Sequence, residues 1–119
     1  MSWWQKIFYP PYIRAIEEGT AIILKKFNTF PRVKQPLEIT LTLTVRVIGD
    51  PSQFTYVPYQ EAGKGVFGYA LPDRIEIMGA EKDGKIIFEP SCLGHEFWHV
   101  LNMVTNGQVM NPDELQKER

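Results

Sequence analysis

The alternation of apolar and polar residues is most regular between Leu37 and Val47. Apolar side chains occupy every second position there, and threonine, glutamate or arginine occupies the positions between them. A period of two with many β-branched residues is typical of a strand that buries one face. We therefore predict a long strand over Leu37–Val47, ended by the turn residues Gly49, Asp50 and Pro51.

A helical spacing of apolar residues precedes this strand. Apolar residues recur at intervals of three and four between Pro11 and Phe27, which predicts an amphipathic helix that covers a sheet. Its expected inward positions are Ile13, Ile16, Thr20, Ile23, Leu24 and Phe27. The preceding segment, Met1–Pro11, is rich in aromatic residues. We interpret it as a short helix or arm that packs on the domain, with a contact to a partner as the alternative.

Several shorter apolar segments follow the long strand. Gln53–Tyr59 predicts a strand broken by Pro58, and Val66–Leu71 and Arg74–Met78 predict two more strands. Lys85–Phe88 is expected to return as the hairpin partner of Arg74–Met78 after an Asp-Gly turn. A final helix follows these strands. We therefore expect a single α+β domain over residues 1–119, with helices on one face of a small, mostly antiparallel sheet.

The final helix carries the residues with the clearest chemistry. An apolar stripe at helical spacing predicts the face that packs in the core: Leu93, Phe97, Val100, Leu101 and Val104. The only two histidines, His95 and His99, fall on roughly the opposite side and would face a cleft. They belong to the pattern H-E-x-x-H, in which residues four apart lie one above the other on a helix. Two imidazoles so placed can bind one tetrahedral Zn²⁺, and Glu96 can act on a bound water.

This stretch resembles the active-site helix of the zincin metallopeptidases. Uncharged residues surround the two histidines, and Pro90 lies before the helix begins. The resemblance implies a zincin-like domain with Zn²⁺ as cofactor and a peptide or protein as substrate. It implies the function of a zinc-dependent metallopeptidase, in which His95 and His99 bind the metal and Glu96 is the general base.

In zincins the strand at the edge of the cleft binds the substrate as an added strand. Val66–Leu71 and Arg74–Gly79 are both candidates for that edge. The polarised carbonyl oxygen of the substrate usually needs a further hydrogen-bond donor, and Tyr59, Tyr69 and Arg74 are candidates for this role.

A catalytic zinc site also needs a third protein ligand, and the sequence contains no third histidine. The positions used by other zincins are occupied by Asn102 and Thr105, so the ligand is expected to be a carboxylate, as in gluzincins or aspzincins. Two neighbouring acidic residues, Asp113 and Glu114, are the candidates. Glu114 has the longer reach but is also placed to complete a capping box with Asn111. Asp113 is not committed to such a cap, and both remain candidates.

The charge balance excludes some classes of partner. The chain has 13 basic and 14 acidic residues, a formal net charge of −1 and no cluster of one sign. This composition predicts no nucleic-acid or anionic-membrane partner. The single cysteine, Cys92, cannot form an intramolecular disulfide and is interpreted as a small core residue. With no signal-peptide pattern and no long apolar run, we expect a cytoplasmic protein. The alternative to an enzyme is a non-catalytic zincin-like module that binds metal or a protein partner.

Overall fold

The computed structural model describes residues 11–62 and 67–118, so the expectation for the aromatic residues before Pro11 lies outside the described residues. The fold is α+β. Its helices are α1 (Pro11–Lys26), α2 (Val57–Ala62) and α3 (Pro90–Val104). Its strands are β1 (Thr44–Ile48), β2 (Gly68–Leu71), β3 (Arg74–Met78), β4 (Ala80–Lys82) and β5 (Lys85–Ile87). Short 3₁₀ segments lie at Phe27–Thr29, Pro51–Gln53 and Pro112–Glu118.

The central sheet is mixed rather than mostly antiparallel. Its strand order is β1-β3-β2, and β4 and β5 form a separate two-stranded hairpin. β1 runs parallel to β3, with Thr44 opposite Arg74, whereas β2 runs antiparallel to β3, with Gly68 opposite Ile77. Parallel neighbours need a long crossover, and the chain between β1 and β3 supplies one that includes α2 and β2.

The long strand predicted over Leu37–Val47 is shorter in the structure. Only Thr44–Ile48 is a strand, and its ladder with β3 begins where the Thr44 amide donates to the Asp73 carbonyl at 3.1 Å. A strand needs a partner along its whole length, and β3 is only five residues long. Alternation of side chains therefore extends further along the chain than the pairing does.

The strand predicted over Gln53–Tyr59 is wrong. The Asp50 side chain accepts a hydrogen bond from the Ser52 amide and forms a capping box with Gln53, which starts the 3₁₀ segment Pro51–Gln53. Helix α2 follows, with Pro58 in its first turn, where proline is well tolerated. The β4–β5 hairpin confirms the predicted Asp-Gly turn, since Asp83 and Gly84 both have positive φ. The predicted partner is wrong, because β5 pairs with β4, while β3 pairs with β1 and β2.

Helix α1 confirms its predicted bounds to within one residue, but its buried face differs in part. Ile16 and Ile22 are buried, whereas Leu24 is 80% exposed. The main core cluster joins this helix to β3 and α3; its buried members are Ile16, Phe67, Ile75, Ile77, Cys92 and Val100. Cys92 is thus the core residue that the sequence indicated. Among the described residues, no helix is long and apolar enough to cross a membrane.

The stripe predicted for the buried face of α3 is also partly wrong. Cys92, Glu96 and Val100 are its buried residues, whereas Phe97 is 41% exposed. Glu96 can lie against the sheet because β2 has a glycine there: a Cβ on Gly68 would lie 3.4 Å from the Glu96 Cγ. Hydrophobic periodicity ranks glutamate as an outward residue, so it cannot anticipate a burial that depends on a neighbouring glycine.

Candidate metal centre

Helix α3 carries both histidines, and a capping residue defines its N-terminus. Glu89 is the N-cap: its side chain accepts a hydrogen bond from the Cys92 amide at 2.7 Å, and Pro90 occupies the first helical turn. His95 and His99 then lie one turn apart, both partly buried. Their Nε2 atoms are 3.1 Å from each other, so the two rings converge on one point.

The helix ends in a motif that reverses the chain. The Asn106 amide donates to the Met103 carbonyl at 3.2 Å, and the Gly107 amide donates to the Asn102 carbonyl at 3.0 Å. This pair of bonds is the Schellman pattern, which requires a left-handed residue after the helix. Asn106 and Gly107 have φ values of 53° and 87°, which asparagine and glycine adopt more readily than other residues.

Three side chains of α3 then hold the returning segment against the helix. The Asn102 amide group donates to the Val109 carbonyl at 2.7 Å, and the Thr105 hydroxyl accepts from the Val109 amide at 2.9 Å. The Trp98 indole donates to the Met110 carbonyl at 2.8 Å. Positions 98, 102 and 105 lie on one face of a helix. The segment therefore runs back along α3 toward the histidines.

Asp113 reaches the histidines at the end of this return. The Asn111 side chain accepts from the Asp113 amide at 2.9 Å and so starts the 3₁₀ segment, whose Leu115 is buried and which packs against α1. The two carboxylate oxygens of Asp113 each lie 3.3 Å from one histidine: Oδ1 from His95 Nε2 and Oδ2 from His99 Nε2.

The structure therefore brings Asp113, and not Glu114, to the histidines. His95, His99 and Asp113 are the one group found among the described residues whose side chains could hold a metal ion together. Glu114 is exposed and lies outside this group. Its amide donates to the Asn111 carbonyl at 3.1 Å, as expected one turn into a 3₁₀ helix.

The spacing of the three donor groups can be compared with that of a zinc tetrahedron. Ligand atoms about 2.0–2.1 Å from a tetrahedral Zn²⁺ lie about 3.3–3.4 Å from each other. In the structure the two Nε2 atoms are 3.1 Å apart and each lies 3.3 Å from a different carboxylate oxygen of Asp113, so one ligand atom from each residue lies within 4.8 Å of the others. Two imidazoles and one carboxylate are also the donor types of a catalytic zinc site, which leaves a fourth position open. The residues present thus fit Zn²⁺ in both spacing and chemistry.

Hydrogen bonding alone explains the arrangement less well. A histidine Nε2 carries at most one proton, so it cannot donate both to the neighbouring ring and to Asp113. Burial, followed by the proximity of His99, lowers the pKa of His95 below its usual 6.5, while the charge of Asp113 acts in the opposite direction. The neutral imidazole, whose Nε2 lone pair can bind a metal, is therefore favoured at neutral pH.

Glu96 lies between the histidine pair and the sheet edge. It is only 4% exposed and packs where β2 begins, against Gly68. β2 is an edge strand of the three-stranded sheet, whereas β3 lies between β1 and β2. A strand paired on both sides cannot accept an added peptide. Of the two candidate edges, Arg74–Gly79 is therefore excluded, and the β2 part of Val66–Leu71 remains.

The candidate donors for a substrate carbonyl do not lie at this centre. Side chains alternate across a strand, and Tyr69 points to the face of the sheet opposite Gly68 and α3. Tyr69 and Arg74 both hydrogen-bond to Glu76. Tyr59 stacks on Tyr69, with ring centroids 4.7 Å apart and planes 3° from parallel. None of the three residues that the sequence offered as possible donors therefore lies at the candidate metal centre.

Glu76 is the principal polar residue that the sequence analysis missed. Its side chain is fully buried and accepts hydrogen bonds from the Thr55 amide at 2.7 Å, from the Thr55 hydroxyl and from Arg74 at 2.8 Å. Burial would raise its pKa, but the bonds from Thr55, Arg74 and Tyr69 outweigh it and lower the pKa to about 2. The sequence feature that could have indicated this buried carboxylate is a glutamate between two isoleucines in a short predicted strand.

The chain matches no known protein family, no functionally characterised protein and no solved structure.

Proposed function

We propose that the protein is a zinc-dependent metallopeptidase of the zincin type, with His95, His99 and Asp113 as the metal ligands. The observation that carries this proposal is the convergence of two imidazole nitrogens and one carboxylate at separations of 3.1–3.3 Å. Each neutral imidazole carries one proton, so hydrogen bonds can satisfy at most two of the three contacts, whereas a cation bound by all three side chains satisfies them together. The donor set and its spacing suit Zn²⁺.

Each residue of the motif then has a distinct task. A bound zinc ion supplies a Lewis acid that lowers the pKa of water to about 7 and polarises a peptide carbonyl. The Glu96 carboxylate accepts the proton of the attacking water and returns it to the leaving amine nitrogen. The partly buried imidazoles exclude bulk water from one side of the centre. The β2 edge offers backbone groups to an extended peptide substrate.

The test combines metal content with turnover. Elemental analysis of the purified protein should give one zinc per chain, and His99→Ala should lose it. Glu96→Gln should retain the zinc and abolish hydrolysis of a mixed pool of fluorogenic peptides, because the amide cannot accept the proton. Absence of zinc after supplementation at neutral pH would overturn the proposal, and so would full activity of Glu96→Gln.

A second candidate function is a non-catalytic zincin-like module that binds zinc. The burial of Glu96 against Gly68 favours it, since a glutamate packed below a strand can also serve to join helix and sheet. This candidate predicts stoichiometric zinc, no hydrolysis by the wild type and a lowered melting temperature for Glu96→Gln. The two candidates thus differ in whether the wild type hydrolyses peptides and in whether Glu96→Gln lowers the melting temperature.

A further inference from the structure

A cavity of about 320 Å³ lies beside the candidate metal centre, between α1, the first half of α3 and the 3₁₀ segment Pro112–Glu118. It shares walls with that centre, because the ligand His95 and Pro112, which precedes the ligand Asp113, both line it. Its volume is about twice the roughly 150 Å³ that accommodates a benzene molecule in an engineered protein cavity. It lies within the range of small-molecule sites, about 300–1,000 Å³.

Two glycines account for the space. Gly19 of α1 and Gly94 of α3 both line the cavity, each inside a helix. Glycine is unfavourable within a helix compared with alanine, so neither position is explained by helix formation. A Cβ built on Gly94 would meet no atom within 4 Å. At Gly94 the missing side chain therefore leaves room in the cavity.

The chemistry of the lining selects an apolar occupant. Large apolar side chains come from each of the three walls: Ile16 and Ile23, Trp98, and Leu115. Of the described residues that line the cavity, none is aspartate, glutamate, lysine or arginine. The Thr20 hydroxyl donates to the Ile16 carbonyl, and the Trp98 indole donates to the Met110 carbonyl. A charged group placed there would lose its hydration without gaining an ion pair.

We propose that this cavity is the specificity pocket of the enzyme, which binds a large aliphatic or aromatic side chain next to the scissile bond of the substrate. The proposal rests on the proposed function, because His95 at the candidate metal centre defines where the pocket lies relative to the scissile bond. An occupant of the cavity lies one imidazole ring away from the group of metal ligands. Burial of a leucine-sized side chain there accelerates cleavage of substrates that carry it about 10- to 100-fold over those with glycine.

The experiment uses two hydroxamates with the same metal-binding group. Acetohydroxamate has no side chain for the pocket, whereas 4-methylpentanohydroxamate carries a branched alkyl chain. Binding to the zinc-loaded full-length protein is measured by isothermal titration calorimetry and needs no turnover. The branched probe should bind about 10- to 100-fold more tightly than acetohydroxamate. A probe of similar length that ends in a carboxylate should not show this gain.

Gly94→Leu is the variant that fills the pocket. Leucine forms helices better than glycine and the position is open, so the variant should fold, as circular dichroism would verify. It should remove the advantage of the branched probe and leave acetohydroxamate binding unchanged. Gly94→Ala, with less added volume, should reduce the advantage only in part. Val104→Leu, at the far end of α3 and outside the cavity, is the matched control and should retain it.

The outcomes separate the pocket from the metal centre. Equal binding of both probes would overturn the pocket and leave the metal centre intact. A branched-probe advantage that Gly94→Leu does not reduce would overturn the assignment to this cavity. If neither probe binds the zinc-treated protein, the metal centre is wrong and the pocket proposal falls with it.

Discussion

Two polar clusters lie on opposite faces of the sheet, and they differ in how the charge of their carboxylate is balanced. Glu76 accepts hydrogen bonds from Thr55, Tyr69 and Arg74, and Arg46 lies 3.6 Å from the same carboxylate. Its charge is therefore balanced by residues of this chain. In the centre at His95, His99 and Asp113, two imidazoles and a carboxylate converge, and the ion pairs that Asp113 forms among the described side chains are with these two histidines.

The comparison shows how a structural carboxylate differs from a ligand carboxylate. A buried charge is tolerated when donors surround it, and the Glu76 cluster thereby ties the loop at Thr55 to the sheet. At the candidate metal centre two imidazoles and a carboxylate converge instead, and the proposed function completes this group with a cation from solution. The first cluster is complete in the folded chain, whereas binding of the proposed zinc ion would complete the second. The four predictions below test that difference.

The largest effect is expected for Asp113→Ala. A four-ligand structural zinc site binds with about 10–16 kcal/mol, so one ligand accounts for roughly 3–4 kcal/mol. We expect the zinc dissociation constant to rise about 100- to 1,000-fold in a competition titration with a chelating dye. The fold should persist without added metal, because the Asp113 side chain is 55% exposed.

Glu114→Ala is the matched control for this substitution. It removes the adjacent carboxylate, which lies outside the ligand group, and should leave the zinc dissociation constant within about twofold of wild type. A large loss of affinity in Glu114→Ala, with none in Asp113→Ala, would contradict the assignment of the third ligand.

The Glu76 cluster should make stability depend on acid pH. The pKa of Glu76 falls from 4.5 to about 2 in the folded protein, so the folded state binds fewer protons between these values. Its stabilisation is complete above pH 4.5 and is lost as the pH falls toward 2, by about 3 kcal/mol in total. Urea unfolding of wild type and Glu76→Gln at several pH values measures this. The variant should lose most of that pH dependence, whereas the exposed Glu81→Gln should keep it.

Gly68→Ala should disturb both clusters at once. A Cβ there would lie 2.9 Å from the Glu76 carbonyl oxygen, which is backbone and cannot move aside easily, and 3.4 Å from the Glu96 Cγ. Overpacking of this kind costs about 1–3 kcal/mol. Gly49→Ala is the control, because its Cβ would meet only the Gln53 side chain at 3.8 Å. Thermal unfolding that shows equal losses for the two variants would contradict the close approach at Gly68.

The smallest effect is expected for Trp98→Phe. This change keeps an aromatic ring but removes the N–H that donates to the Met110 carbonyl, so the segment that carries Asp113 loses one tether. Loss of one such bond is worth about 1 kcal/mol, which corresponds to about a fivefold weaker zinc affinity. Gln108→Ala, an exposed side chain on the same segment, should have no effect in the same titration.

Local patterns predicted α1, α3 and β3 well. The α1 and α3 segments have strong helical spacing, and Arg74–Met78 is a strand with the predicted bounds. The parallel pairing of β1 with β3 was not predictable, because it depends on contacts between positions about 30 residues apart, such as Thr44 and Arg74. Helix α2 was missed, and the capping signal at Asp50, which starts the preceding 3₁₀ segment, was read only as a turn.

The two histidines and Glu96 could be selected from the sequence, because H-E-x-x-H defines its own geometry on a helix. The choice between Asp113 and Glu114 could not, since it depends on where the returning chain stops. That position is set by the hydrogen bonds that Trp98 and Asn102 donate and Thr105 accepts, and none of these three residues has a recognisable spacing signal. Glu76 was missed because burial of a charge depends on donors distant in sequence.

The reversal at Asn106–Gly107 has a consequence for the order of folding. It brings together the candidate ligands at positions 95 and 113, which are 18 residues apart, whereas the ladder of β1 with β3 joins positions 30 apart. Closing the shorter loop costs less chain entropy, and local contacts form faster than distant ones. The candidate metal centre can thus assemble before the sheet. Saturating zinc should then increase the refolding rate in stopped-flow experiments, and an effect on unfolding alone would place metal binding after the main barrier.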